Sequence, residues 1–185
     1  MAKQVVLFDL GDTIMVEESE IKDDSQTTLQ ADLIPGMKAL LLDLSSRGVP
    51  CGIVADTRPG TYRNVLLQHG LYDLFESFSI SEELGVEKPH PLMFEDALEK
   101  HGLTADTAVQ AMMVGNNYER DIRGAKARGL TTLWFHWNER YPVPEDAACA
   151  DYTCTTPAEV MAAITEWLSV TTTNSNELLV EKRMS

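Results

Sequence analysis

Short apolar runs alternate with amphipathic stretches along most of the chain. Val5–Phe8, "VVLF", is apolar throughout and begins β-branched, which predicts a strand buried on both faces. "GMKALLLDLSSRG" carries apolar residues at helical spacing and stops at Gly48, which predicts a helix closed by a glycine. The alternation continues with a strand "CGIVA", a helix "TYRNVLLQHG" stopping at Gly70, a weaker strand "FSISEE" and a helix "PLMFEDALEKHG" stopping at Gly102. A strand "AMMVG", a helix "ERDIRGAKARG" and a strand "LTTLWF" follow. "TPAEVMAAITEWL" is the last helix, with Thr156 as its N-cap and Pro157 at its first position. This order predicts an α/β fold: one parallel sheet with helices on both faces, joined by right-handed crossovers.

Two segments break the rhythm. Residues 15–33, "MVEESEIKDDSQTTLQADL", are rich in charge and threonine between the first strand and the first helix. They suit a hairpin flap over the strand ends and are too few for a separate cap domain. Residues 171–185, "TTTNSNELLVEKRMS", read as a polar linker and tail, leaving open a short helix, a disordered end or a docking segment. The expected organisation is therefore a single domain over 1–170 with the 15–33 flap inserted, and a tail over 171–185.

Composition narrows the function. At 185 residues and 44% apolar content the chain can bury a sizeable core. It shows no run of about eighteen apolar residues and no leader-like start. The formal net charge of −14 disfavours nucleic acid and anionic membranes as partners. A phosphate substrate would then need positive charge supplied locally, from a cation, a lysine or helix N-termini. Cys51, Cys149 and Cys154 are odd in number and lack paired spacing, which points to a reducing, cytoplasmic setting and not to a disulfide framework or a zinc site. His69, His90, His101 and His136 are scattered and read as surface or helix-end residues.

Chemistry concentrates at the strand exits. Asp9 follows the first strand, Ala55-Asp56-Thr57-Arg58 the second, Lys88-Pro89 opens the helix after the third, and Asn116 to Asp121 follow the fourth. A parallel sheet gathers these at its carboxyl edge. A carboxylate, a lysine and a second carboxylate there suit phosphoryl transfer, with one carboxylate as nucleophile and positive charge on the phosphoryl oxygens.

The motifs "FDLGDT", "GIVADT", "GVEKPHPLMFEDAL" and "MMVGNNYERDIRGAKARG", in this order, resemble the haloacid dehalogenase-like hydrolase superfamily over almost the whole chain. The resemblance implies a Rossmann-like sheet and a phosphatase in which Asp9 is the nucleophile. It implies Mg2+ held by Asp9, the Gly11 carbonyl, Asn116 and Asp121. It places the phosphate against Ala55, Asp56, Thr57 and Lys88, with Lys88 steadying the phosphoryl group. The match departs from the family in three places. Gly11 stands where an acid–base aspartate is usual, Ala55 where a hydroxyl is usual, and Asn116 where an aspartate is usual. Asp12 is one residue too far on and reads first as a turn residue. Thr57 reads as a cap of the next helix before it reads as a phosphate ligand. Arg58 reads first as solvated, and Arg120 as a helix-start residue that balances an acidic surface. Either Trp134 or Phe135 is expected in the core; Trp137 and Tyr141 are open to the substrate mouth or a subunit contact, but core packing is the commoner fate and they carry no assigned site role.

The expected function is a Mg2+-dependent phosphomonoesterase acting through an aspartyl phosphate, slowed by the three replacements. The alternative is a phosphate-binding or regulatory protein of the same fold. A phosphotransferase or dehalogenase is the weaker third reading; a dehalogenase would not need metal, and no halide pocket is evident. The expected partner is a small phosphate ester, with no nucleic acid or membrane, and a homo-oligomer is left open. On this reading Gly11→Asp should raise turnover.

Overall fold

The computed structural model describes residues 4–145 and 147–181. Its centre is strand β1 (Val5–Phe8), in which every side chain is fully buried. Side chains alternate across a strand, and β1 divides accordingly. Val6 and Phe8 join one apolar cluster, Val5 and Leu7 the other. The first cluster takes in α1 (Met37–Ser46), α2 (Pro59–His69) and α6 (Pro157–Glu181). The second takes in α4 (Pro91–Lys100) and the short α5 (Gly124–Lys126). Helices therefore cover both faces, as strand–helix alternation requires. Each large apolar side chain so buried stabilises the fold by about 1.5–3 kcal/mol relative to exposure.

The remaining sheet strands are β4 (Cys51–Ala55), β5 (Ser77–Ile80), β6 (Ala111–Gly115), β7 (Thr131–Phe135) and β8 (Tyr152–Cys154). They lie in the order β5-β4-β1-β6-β7-β8, and every pairing is parallel. The chain builds outward from β1 through β4 to β5, then returns to the other side of β1 and builds outward again. That reversal beside β1 is where a parallel sheet opens a crevice at its carboxyl edge.

The flap is a hairpin. β2 (Ile21–Lys22) and β3 (Thr28–Gln30) pair antiparallel, after a one-turn 3-10 helix at Glu17–Ser19. It is tied to α2. Thr28 N–H donates to Thr61 Oγ1 at 3.0 Å, and Asn64 Nδ2 donates to the Thr28 carbonyl at 2.9 Å.

Most elements fall where the pattern places them. The glycine stops at Gly48, Gly70 and Gly102 all have positive φ, the left-handed conformation that ends a helix. Thr156 caps α6 as expected, its Oγ1 accepting from Glu159 N–H while Glu159 returns a bond to Thr156 N–H. Trp134 and Phe135 are both buried.

Three details differ from the sequence pattern. The strand in "FSISEE" ends at Ile80, and Ser81–Leu84 turns into a short helix, α3. The edge strand β8 carries no apolar run, being half-exposed and three residues long, so it was not expected. The last helix does not stop for a linker but runs on to Glu181. No glycine or proline occurs after Pro157 to end it. The last four tail residues, 182–185, lie outside the described residues. Among the described residues no helix is long and apolar enough to cross a membrane.

Candidate active site

The exits of β1, β4 and β6 open on one cleft of about 330 Å³, roofed on one side by the hairpin. At its floor Lys88 Nζ lies 2.7 Å from Asp9 Oδ1 and 2.7 Å from Asp121 Oδ1. The three side chains are 2%, 13% and 1% exposed respectively, so Asp9 is the member most open to the cleft that all three line.

Each is placed by the element it leaves. Asp9 N–H donates to the Val114 carbonyl at 2.9 Å, extending the β1–β6 ladder by one residue and fixing the carboxylate at the strand end. Thr13 Oγ1 lies 3.4 Å from Asp9 Oδ2. Asp121 sits in a π-helical turn, Tyr118–Arg123, that leads into α5. Its Oδ2 accepts from Asn117 N–H at 2.9 Å. Gly115 is required for this approach, because a Cβ there would overlap the Asp121 carboxyl. Lys88 is held by its backbone, with its N–H donating to Asp56 Oδ1 at 2.8 Å.

The electrostatics are those of one buried cation among acids. Burial disfavours the Lys88 ammonium, but Asp121, Asp9 and Asp56 outweigh burial and hold it above its ordinary range. Burial pushes the Asp121 carboxyl up to about 7, with Lys88 opposing the rise and Asp9 adding to it. Burial likewise raises Asp56, against Lys88 and Arg120. Glu17 is also raised by burial, with Arg140 opposing.

The structure brings all the expected site residues to this cleft: Asp9, Gly11, Ala55, Asp56, Thr57, Lys88, Asn116 and Asp121 line it together. Their environments separate their capacities. Asp56 is engaged by Lys88 N–H and, at 3.2 Å, by Arg120 Nη1, so its carboxylate braces the lysine loop. Thr57 does not cap α2: the residue at that position is Arg58, and no side chain caps the helix. Arg58 is not simply solvated, since it donates to the Ser25 carbonyl in the hairpin and lies 3.6 Å from Glu82. Asp12, at a positive φ of 48°, accepts from Glu17 N–H through Oδ1 and is absent from the cleft wall, as a turn residue would be.

Among the other cleft residues, Glu17 carried no expectation and Tyr141 had the substrate mouth as one of two places open to it. Tyr141 lines the mouth, and Glu17 enters from the turn before the hairpin. The acidic run "VEESE" was the sequence signal for Glu17, but a run of acids reads as solvated surface until folding points one of them inward. Trp137 packs against the core and donates Nε1–H to the Asp12 carbonyl at 2.7 Å, so it buttresses the Asp9 loop and does not line the cleft.

The cleft can be tested for a hard cation. Asn116 Nδ2 is buried without a hydrogen-bond partner, while the Asn116 carbonyl accepts from Trp134 Nε1 at 2.9 Å. Amide oxygen and nitrogen exchange places on rotation, so the orphaned position is one that Oδ1 can fill, and Asn116 lines the same cleft as Asp9 and Asp121. Oxygen donors of this kind suit Mg2+. Among the described residues no group of three His, Cys, Asp or Glu side chains is arranged to hold a metal. The set here, two carboxylates, an amide and the Gly11 carbonyl, lies below that count and fits the ion with fewer charges.

The model of the haloacid dehalogenase-like hydrolases matches residues 5–129. The chain belongs to that family. It is similar to the glyceraldehyde 3-phosphate phosphatase of Pyrococcus furiosus, 37% identical over 106 residues, which cover 57% of this chain and 43% of that one. It is also similar to the phosphoserine phosphatase of Thermus thermophilus, 33% identical, covering 61% and 44%. The chain thus spans under half the length of these curated relatives. Among solved structures, a haloacid dehalogenase-type (HAD) phosphatase of Thermococcus onnurineus superposes with a TM-score of 0.71 at 22% identity, covering 87% of this chain and 97% of that one. A HAD hydrolase of Bacillus subtilis, solved bound to magnesium, gives 0.69 at 18% identity, covering 88% and 99%. At such identities these two establish the shared fold. The family match spans β1 through α5, so all of the cleft-floor residues lie within it.

Proposed function

We propose that this HAD-family chain is a phosphomonoester hydrolase that works through an aspartyl phosphate on Asp9. The observation that carries the reading is the pairing of Lys88 with both Asp9 and Asp121 at the floor of the cleft. A buried lysine between a cleft-facing carboxylate and a buried one gives the nucleophile a fixed direction and places positive charge beside an arriving phosphoryl group. The phosphatase names of the curated relatives support the reaction class.

Asp9 attacks phosphorus, the ester oxygen leaves, and water then releases phosphate from Asp9. Lys88 offsets charge on the phosphoryl oxygens. Thr57 and the backbone at Ala55 border the place where those oxygens would lie. Mg2+ held by Asp9, the Gly11 carbonyl, Asn116 and Asp121 would supply further positive charge when bound. The cleft volume and its polar hairpin roof favour a small phosphate ester. Three free cysteines fit a cytoplasmic setting.

A second reading, a phosphate-binding relative without turnover, rests on Ala55 and Asn116, which remove a phosphate donor and a metal charge. The separating experiment is phosphate release from a panel of small phosphomonoesters. The expected result is release that needs Mg2+ and is abolished by chelator and by Asp9→Asn. Release that is absent, or equal in wild type and Asp9→Asn, would favour the binding protein.

A further inference from the structure

Gly11 leaves a gap two residues after the nucleophile, and the fold fills it. A Cβ built on Gly11 would lie 2.9 Å from both Cγ and Cδ of Glu17, and closer still to its Oε1. The space where a side chain at position 11 would begin is therefore taken by the Glu17 carboxyl. That placement is fixed through both the Glu17 backbone and its carboxyl. Glu17 N–H donates to Asp12 Oδ1 at 2.9 Å, which pins the start of the 3-10 turn beneath the cleft. Arg140 Nη2 lies 2.8 Å from Glu17 Oε2, so one carboxylate oxygen is held while Oε1 is the oxygen turned toward Gly11. Arg140 Nε also lies 3.3 Å from Asp12 Oδ2, which binds the two acids into one unit. Glu17 lines the same cleft as Asp9 and Lys88, whereas Asp12 faces a separate hollow beside Trp137 and Arg140.

We propose that Glu17 is the proton-transfer carboxyl of this site, reaching over Gly11 from the flap. The assignment rests on the phosphomonoesterase reading above. In the first step an Asp9 oxygen forms a bond to phosphorus, the phosphorus–ester oxygen bond breaks, and the Glu17 carboxyl gives its proton to the departing oxygen. In the second step water attacks the phosphorus of the aspartyl phosphate. Its proton returns to the Glu17 carboxylate, the bond to Asp9 breaks, and inorganic phosphate leaves. The carboxyl ends in the state in which it began. Glycine at position 11 is then a steric condition for Glu17 to occupy the site. This reverses the expectation for Gly11→Asp. In the wild-type background the new carboxyl would collide with Glu17 and repel it, so turnover should fall.

The test uses the full chain with Mg2+, glycerol phosphate as a poor leaving group and p-nitrophenyl phosphate as a good one. Glu17→Gln should lower steady-state release from glycerol phosphate by about 100-fold, the usual scale of acid–base assistance. With p-nitrophenyl phosphate it should keep a burst of nitrophenol equal to the enzyme present, because that leaving group departs unaided and only the hydrolysis of Asp9 phosphate slows. The double variant Gly11→Asp/Glu17→Ala should recover turnover over Glu17→Ala, because an acid then occupies the vacated space. Unchanged glycerol phosphate turnover in Glu17→Gln would overturn the assignment. So would loss of the burst along with turnover, which would mean that Glu17 only holds the loop. If wild-type release is itself independent of Asp9, the phosphatase reading fails and this assignment with it. If release needs Asp9 and ignores Glu17, this assignment alone fails.

Discussion

Lys88 makes the burial of its acidic neighbours tolerable. Taking one partner out of a buried ion pair typically costs about 3–5 kcal/mol, because the remaining charge has lost its compensation. Lys88→Met should therefore lower the melting temperature markedly at neutral pH in chelator. Without the ammonium, burial keeps the Asp121 carboxyl above its unfolded value, so the folded form favours the proton. The penalty is then present at neutral pH and is relieved as pH falls through the raised range. Melts of Lys88→Met and wild type should draw together as pH falls from 7 towards the unfolded carboxylate range, about 4, and a constant gap would contradict this account. Asp9, Lys88 and Asp121 were legible in the sequence because each stands at a strand exit or helix start, and topology alone gathers such positions. Glu17 was not, and Tyr141 was legible only as a candidate for the substrate mouth or a subunit contact. They reach the cleft by side-chain direction from irregular backbone, which no periodicity records.

At the level of elements, the flap is where structure and chemistry meet. Glu17 stands on the turn before the hairpin, and the hairpin is secured to α2 through Thr61 and Asn64. Asn64→Ala deletes one bond worth about 1 kcal/mol. It should speed amide exchange across residues 20–30 while leaving β1, β4 and β6 unchanged, since hairpin opening is a local event. Equal acceleration in the central strands would show that the flap and the sheet open together. The hairpin could be read from its break in pattern, and the sheet strands from their apolar runs. β8 could not, because an edge strand with one buried residue has too little alternation to announce itself. The continuation of α6 through "TTTNSNELLVE" shows the converse. A polar composition suggested a linker, but nothing in the backbone chemistry of that segment ends a helix.

Across the whole molecule, a net charge of −14 works against any phosphorylated ligand, and the fold answers it locally. Lys22, Arg58, Lys88 and Arg120 all reach the one cleft, drawn from the hairpin, the β4 exit, the lysine loop and the π-helical turn. The same cleft holds Asp9, Glu17, Glu20, Asp56 and Asp121, so its charges come close to balance, and a bound cation would tip it toward an anion. The central claim is that Asp9 takes the phosphoryl group. The most direct measurement is acid-quenched incorporation of label from radiolabelled acetyl phosphate in the presence of Mg2+, followed by mapping of the labelled peptide. The account predicts hydroxylamine-sensitive label on the peptide bearing Asp9, absent in Asp9→Asn and more abundant in Glu17→Gln. Label elsewhere, or none under conditions in which phosphate is released, would contradict it.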